Sequence, residues 1–165
     1  MPTTSKSLTI AAPVREVWAA ITDLEAANRW NAAWQRVEYL SSQREGVGTP
    51  FRAHTEDGLA HDFQISEWAP MEYISFAPVR NEYEDKEKSY MLTLESQAFL
   101  LQPANDDHTD VTLFATVASH GLRGWFAARF VWPSYQRQGL RSALEALQAL
   151  VEPQPDEDEQ THADS

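Results

Sequence analysis

The stretch "SYQRQGLRSALEALQALVE", residues 134–152, limits the possible folds more than any other part of this sequence. Leu140, Leu144, Leu147 and Val151 recur at helical spacing on one stripe, with Ala143 and Leu150 beside it. Ser134 stands where a cap belongs, and Pro153 stops the run. Gly139 costs about 1 kcal/mol against alanine inside a helix, so it marks either a kink or a close approach to the backbone. A long helix with one apolar stripe must bury that stripe against something. The middle of the chain offers it a sheet.

Leu8 and Ile10 alternate with Thr9 and Ala11 as a short first strand. "WQRVEYL" (34–40) reads as a strand, and "GVGTPFRAHTE" (46–56) as a glycine-permitted bend followed by a strand carrying Phe51 and Ala53. "EDG" is hairpin chemistry, leading into "LAHDFQISEW" with His61, Phe63 and Ile65 on one face. "AP" breaks the chain and "MEYISFA" restarts it. After the polar loop "RNEYEDKEK" come two longer strands, near 90–102 and 110–120, separated by the turn residues "PANDDHTD". Strands joined by short connections are antiparallel. Between the first strand and the rest, "APVREVWAAITDLEAANRW" places Pro13 at a helix start, with Val14, Val17, Trp18 and Ile21 on one stripe. Asp23 is positioned to cap a second short helix through about Arg29. The expectation is an α+β domain over residues 1–152: two short helices after the first strand, then a bent antiparallel sheet wrapped around the terminal helix. Wrapping a sheet in this way readily leaves a hollow beneath the helix.

Composition removes several classes of function. The net charge is −12, and the last thirteen residues, "PQPDEDEQTHADS", hold five acids and no Lys or Arg, so the body alone is near −7. An acidic body repels phosphate backbones and anionic membranes, which argues against a nucleic-acid partner or stable membrane insertion. Residues 153–165 read as a disordered acidic tail. The absence of cysteine excludes disulfides, thiolate metal sites and cysteine nucleophiles. No metal-ligand spacing, phosphate loop or nucleotide fingerprint is present, so neither metal nor cofactor is expected. The first residues lack the apolar run of a signal peptide, and no stretch of 18 apolar residues occurs, so a cytoplasmic protein is expected.

"IAAPVREVWAAITDLEAANRW", "GVGTPFR" and "ISEWAPMEYISF", in this order and with the terminal amphipathic helix, resemble the polyketide cyclase/dehydrase branch of the START-like (SRPBCC) superfamily. The resemblance covers about residues 5–152. It implies a helix-grip fold of about seven strands around a C-terminal helix, enclosing a cavity for lipids, polyketides, hormones or quinones. Some members catalyse cyclisation or dehydration, but the family supplies no universal catalytic motif to carry over. Fold alone fixes function only to the level of a pocket.

Trp18 is expected to anchor the first helix in the core. Candidate cavity-lining residues are Trp30, Trp34, Phe51, Phe63, Phe76, Phe99, Phe114, Trp125, Phe130, Tyr135 and Leu144. In "GLRGWFAARFVWP" (121–133), Trp125, Phe126, Phe130, Val131 and Trp132 do not share one helical face, which suits a flap over the cavity mouth or a homodimer contact. Weaker acid–base candidates are His54, His61, Tyr90 and His120; His54 and His61 flank the Asp57-Gly58 turn, where a hairpin could bring them together. His61 and Asp62 are neighbours on a strand and must point to opposite faces. Whether Arg52, Glu95 and Gln97 face inward is left open by the sequence. Three functions remain: a carrier or sensor of a small hydrophobic or aromatic molecule, a cyclase or dehydratase using a His or Tyr, and an interaction module using the 121–133 aromatic segment.

Overall fold

The computed structural model describes residues 3–56, 58–79, 92–119, 121–126, 129 and 132–153 and, within these, the side chains of all but 92, 93, 119 and 132–136. The elements run β1 (Thr3–Ile10), α1 (Val14–Thr22), a 3-10 helix (Leu24–Arg29), β2 (Trp34–Tyr39), β3 (Pro50–Thr55), β4 (Ala60–Ala69), β5 (Tyr73–Pro78), β6 (Leu92–Pro103), β7 (Thr109–Ser119), α2 (Gly121–Phe126) and α3 (Trp132–Val151). The seven strands form one antiparallel sheet in the order β1-β7-β6-β5-β4-β3-β2. This is the helix-grip arrangement expected from the sequence.

The order explains the helical arm. β1 and β2 are consecutive strands on opposite edges of the sheet. The chain between them therefore crosses the whole width of the sheet, and α1 with the 3-10 helix makes that crossing. Val17, Trp18 and Ile21 are the buried stripe of α1, as their spacing predicts. Pro13 sits one residue earlier than expected, at the N-cap in extended conformation. Asp23 does stand at the N-cap of the 3-10 helix, but its side chain makes no capping bond.

Three register shifts curve the sheet, between Trp34 and Arg36, Ile65 and Glu67, and Leu94 and Ser96. Gly46 and Gly48, at φ 83° and 87°, carry the bend before β3. β7 turns Thr109, Val111, Leu113, Ala115 and Val117 to the buried, concave face. Onto this side α3 lays Leu140, Leu144 and Leu147, in one core with Ile10, Val17, Ile21 and Leu24. Glu152 at the helix end accepts a hydrogen bond from Ala11 N (2.9 Å), and the buried Thr109 Oγ1 donates to Ala12 O (2.9 Å). The same corner is thus tied to both α3 and β7.

Two sequence expectations for α3 need correction. Ser134 lies inside the helix, which begins at Trp132, because Pro133 fits the first turn, where a missing N–H is harmless. Gly139 is exposed, and a Cβ there would meet nothing within 4 Å, so no close approach explains it. Among the described residues, no helix is long and apolar enough to cross a membrane.

Candidate functional site

α3 does not cover the sheet evenly. It packs principally on β1, β7, α1 and the 3-10 helix. The concave residues of β3, β4 and β5 meet other partners, chiefly the tryptophans at the end of the arm. Trp30 closes the 3-10 helix and Trp34 opens β2. The turn between them is held by Trp34 N donating to Asn31 O and Ala33 N to Asn31 Oδ1.

From these two rings an aromatic layer spreads across the concavity. Trp30 meets Trp34 at 5.9 Å and Phe99 edge-to-face at 5.2 Å. Trp34 meets Phe51 at 5.8 Å and Phe63 at 5.4 Å. Phe51 stacks on Phe63 at 5.5 Å and meets Phe76 edge-on at 5.7 Å. Cross-strand register accounts for the layer: Phe51 lies opposite Phe63, and Ile65 opposite Phe76. Such pairs add about 0.5–1.5 kcal/mol each beyond the area they bury. Trp18 instead pairs edge-on with Trp68 at 5.0 Å, a contact that residue spacing alone does not foretell.

Three polar groups stand on this apolar surface. The register sets Gln97 opposite Ala115 and Phe76, and His61 opposite Ala53, so both half-buried side chains project on the concave side. The third is Trp30 Nε1, a buried atom with no hydrogen-bond partner among the described residues. Tyr39 borders the layer opposite Phe51. Its hydroxyl accepts from Leu24 N (3.3 Å) and donates to Thr22 O (3.4 Å), pinning the joint of the arm to the sheet edge. Burial raises the Tyr39 pKa, with the nearby charges of Asp23 and Glu25 adding to the rise, while the Leu24 hydrogen bond and Arg44 oppose it.

Several candidates do not gather here. Phe114 alternates onto the convex face, opposite Ser5 and Ala98, because its neighbours Leu113 and Ala115 take the concave one. Leu144 is buried under α3 in the β1–β7 half. Trp125 lies on α2 and is 49% exposed, beside the exposed Leu122 and Phe126. Phe130, Tyr90 and His120, and the side chain of Tyr135, lie outside the described residues, as do the 80–88 loop and the tail beyond Pro153.

The hairpin does not unite the two histidines. His54 pairs with Ala60, which leaves His61 on the other face. His54 Nε2 lies 3.0 Å from Arg36 Nη2 and 3.3 Å from Glu38 Oε1 on the convex surface. Arg52 is convex too, donating to both oxygens of Asp62 at 2.7 and 3.1 Å. Asp62 and His61 therefore part as the strand period requires. Among the described residues, no group of three or more His, Asp or Glu side chains is placed to hold a metal ion.

Comparison with known proteins agrees with this architecture. A family model described as polyketide cyclase / dehydrase and lipid transport matches residues 1–152. A START superfamily protein from Mycobacterium smegmatis superposes with a TM-score of 0.66 at 19% identity, covering 90% of this chain and 96% of that one. XoxI from Bacillus cereus gives 0.67 at 14% identity, covering 92% and 96%. The di-domain ARO/CYC BexL from the BE-7585A biosynthetic pathway gives 0.70 at 14% identity; 93% of this chain matches 48% of BexL. No curated protein matches the sequence.

Proposed function

Since this chain belongs to the polyketide cyclase/dehydrase and lipid transport family of the START-like superfamily, we propose that it binds a small hydrophobic, aromatic molecule against the concave face, as a carrier or sensor. One observation carries this reading. The long helix seats on β1 and β7, whereas the aromatic half of the concavity, from β3 to β6, faces the arm's Trp30 and Trp34 and presents the half-buried Gln97 and His61. Polar side chains set singly on an apolar concave surface are how ligand sites orient their guests. The aromatic rings supply affinity, at about 25 cal/mol for each Å² of apolar ligand surface removed from water.

Binding ranks ahead of catalysis because, among the described residues, His61 makes no ion pair with a carboxylate. Asp62 is turned away to Arg52, and His54 is engaged on the convex side. The enzymatic alternative, a cyclase or dehydratase, then rests among the described candidates on His61 alone.

Titration calorimetry with naphthalene derivatives tests the binding reading. Saturable, one-to-one binding is expected, and it should be abolished in Gln97→Trp, where a large ring replaces the half-buried amide that lies opposite Phe76. Binding that survives Gln97→Trp unchanged, or no binding up to the solubility limit, refutes the assignment.

A further inference from the structure

We propose that the second half of the arm, from Leu24 to Asn31, is a hinged lid. It swings on Asp23, is latched shut by Tyr39, and opens while the rest of the domain stays folded. The binding reading says what lies beneath the arm, not how anything reaches it. All six rings of the aromatic layer are buried, so access to that layer needs a moving part. The two halves of the arm rest on different beds. α1 packs on α3 and β6 and buries Val17, Trp18 and Ile21 in the main core. The 3-10 helix packs chiefly on β2, the strand that follows it in the chain. The second half can therefore lift without disturbing the first.

The joint is built to bend. Asp23 leaves the helical region at φ −78°, ψ 81°, after its own N–H has closed α1 on Ala19 O. The helix beyond it runs for six residues, more than the about three or four that poorer 3-10 hydrogen bonds usually sustain. At the far end Trp30 Nε1 is buried with no hydrogen-bond partner among the described residues, and swinging outward returns it to water. Closure therefore has a polar cost at the tip. Against it stand the burial of Leu24, Ala27 and Trp30, and a latch at the hinge. The Tyr39 hydroxyl, carried by β2, accepts from Leu24 N at 3.3 Å and donates to Thr22 O at 3.4 Å. Arg44 lies 4.1 Å from the centroid of the Tyr39 ring and 3.6 Å from Glu25 on the lid. Both Tyr39 bonds are long for their kind, and exposed ion pairs such as Arg44–Glu25 hold weakly. The lid is shut, but loosely.

The chain has no cysteine of its own, so one introduced thiol reports opening without background. Ala27, on the lid, and Ala115, on β7, are both fully buried. The test labels Ala27→Cys and Ala115→Cys with an aromatic disulfide reagent, in native buffer and with no ligand present; only an exposed thiolate reacts. Ala27→Cys should react at least about tenfold faster, because exposing Ala115 takes unfolding of the whole domain. Adding Tyr39→Phe should speed Ala27→Cys by a further five- to tenfold, about the value of one hydrogen bond. As a check on the unaltered chain, the Leu24 amide and the Trp30 indole N–H should exchange with deuterium together. Their urea dependence should be shallower than that of the β6–β7 ladder amides. Equal labelling at the two positions, a rate at Ala27 indifferent to Tyr39→Phe, or exchange at Leu24 and Trp30 with the full urea slope of global unfolding overturns the lid. None of these results touches the binding reading, which its own calorimetry decides.

Discussion

Truncation of Phe51 to alanine probes the floor of the aromatic layer most directly. The side chain is fully buried and touches three rings, Trp34, Phe63 and Phe76, at centroid distances of 5.5–5.8 Å. Phe→Ala in a packed core costs about 3–5 kcal/mol through lost transfer energy and the void left behind. Because all three ring pairings vanish at once, Phe51→Ala belongs in the upper half of that range. For a domain of this size, a loss of about 4 kcal/mol lowers the melting midpoint by about 8–16 °C. Urea unfolding followed by tryptophan emission, with calorimetry alongside, gives both numbers, and Leu147→Ala beneath α3 is the control. The void lies between apolar rings, so toluene should bind in it and restore part of the midpoint by mass action. A loss below about 1 kcal/mol would refute the reasoning, since it would mean that Phe51 has no packed neighbours to lose.

Two other expectations concern the frame around the site. Because the folded pKa of Tyr39 is raised above its unfolded value, folding favours the neutral phenol, and the stability linked to it is present below pH 10 and falls as pH rises through the folded pKa. Tyr39→Phe should flatten that alkaline decline in urea titrations and remove about 0.5–1.5 kcal/mol at neutral pH with the hydroxyl's hydrogen bonds. Gly139→Ala should stabilise the protein by about 0.5–1 kcal/mol, since the position is helical, exposed and sterically open; a lower midpoint would show that the glycine serves a purpose that its surroundings do not reveal.

Strand positions and the terminal helix were legible because alternation, turn glycines and a 3.6-residue stripe are local signals. Gly46, Gly48 and Gly58 all adopt the positive φ that their turns require. The faces of the longer strands were harder to read. In β6 the concave residues run Leu94, then Gln97 and Phe99, because the register shift between Leu94 and Ser96 changes their parity. No simple alternation across "LESQAF" predicts that Gln97 faces inward. β7 reads "VTLFATVA", apolar on both parities, so the size of Phe114 suggests a lining role that the register denies. The pairing of His54 with His61 fails on period: in this hairpin 54 pairs with 60, so 54 and 61 cannot share a face. Trp30 and Trp34, expected to line the cavity, are buried in ring contacts with Phe99, Phe51 and Phe63. The orphaned indole nitrogen could not have been read from sequence, since it depends on which side chains fail to reach it.

The lopsided seat of α3 divides the molecule into a keel and a mould. Among the described residues, α3 packs chiefly on β1, β7, α1 and the 3-10 helix rather than on β3, β4 or β5. Resizing a ring on those strands therefore reshapes the mould without unseating the keel. Under the binding reading proposed above, exchanging a few bulky side chains there would change the guest while the backbone stays recognisable.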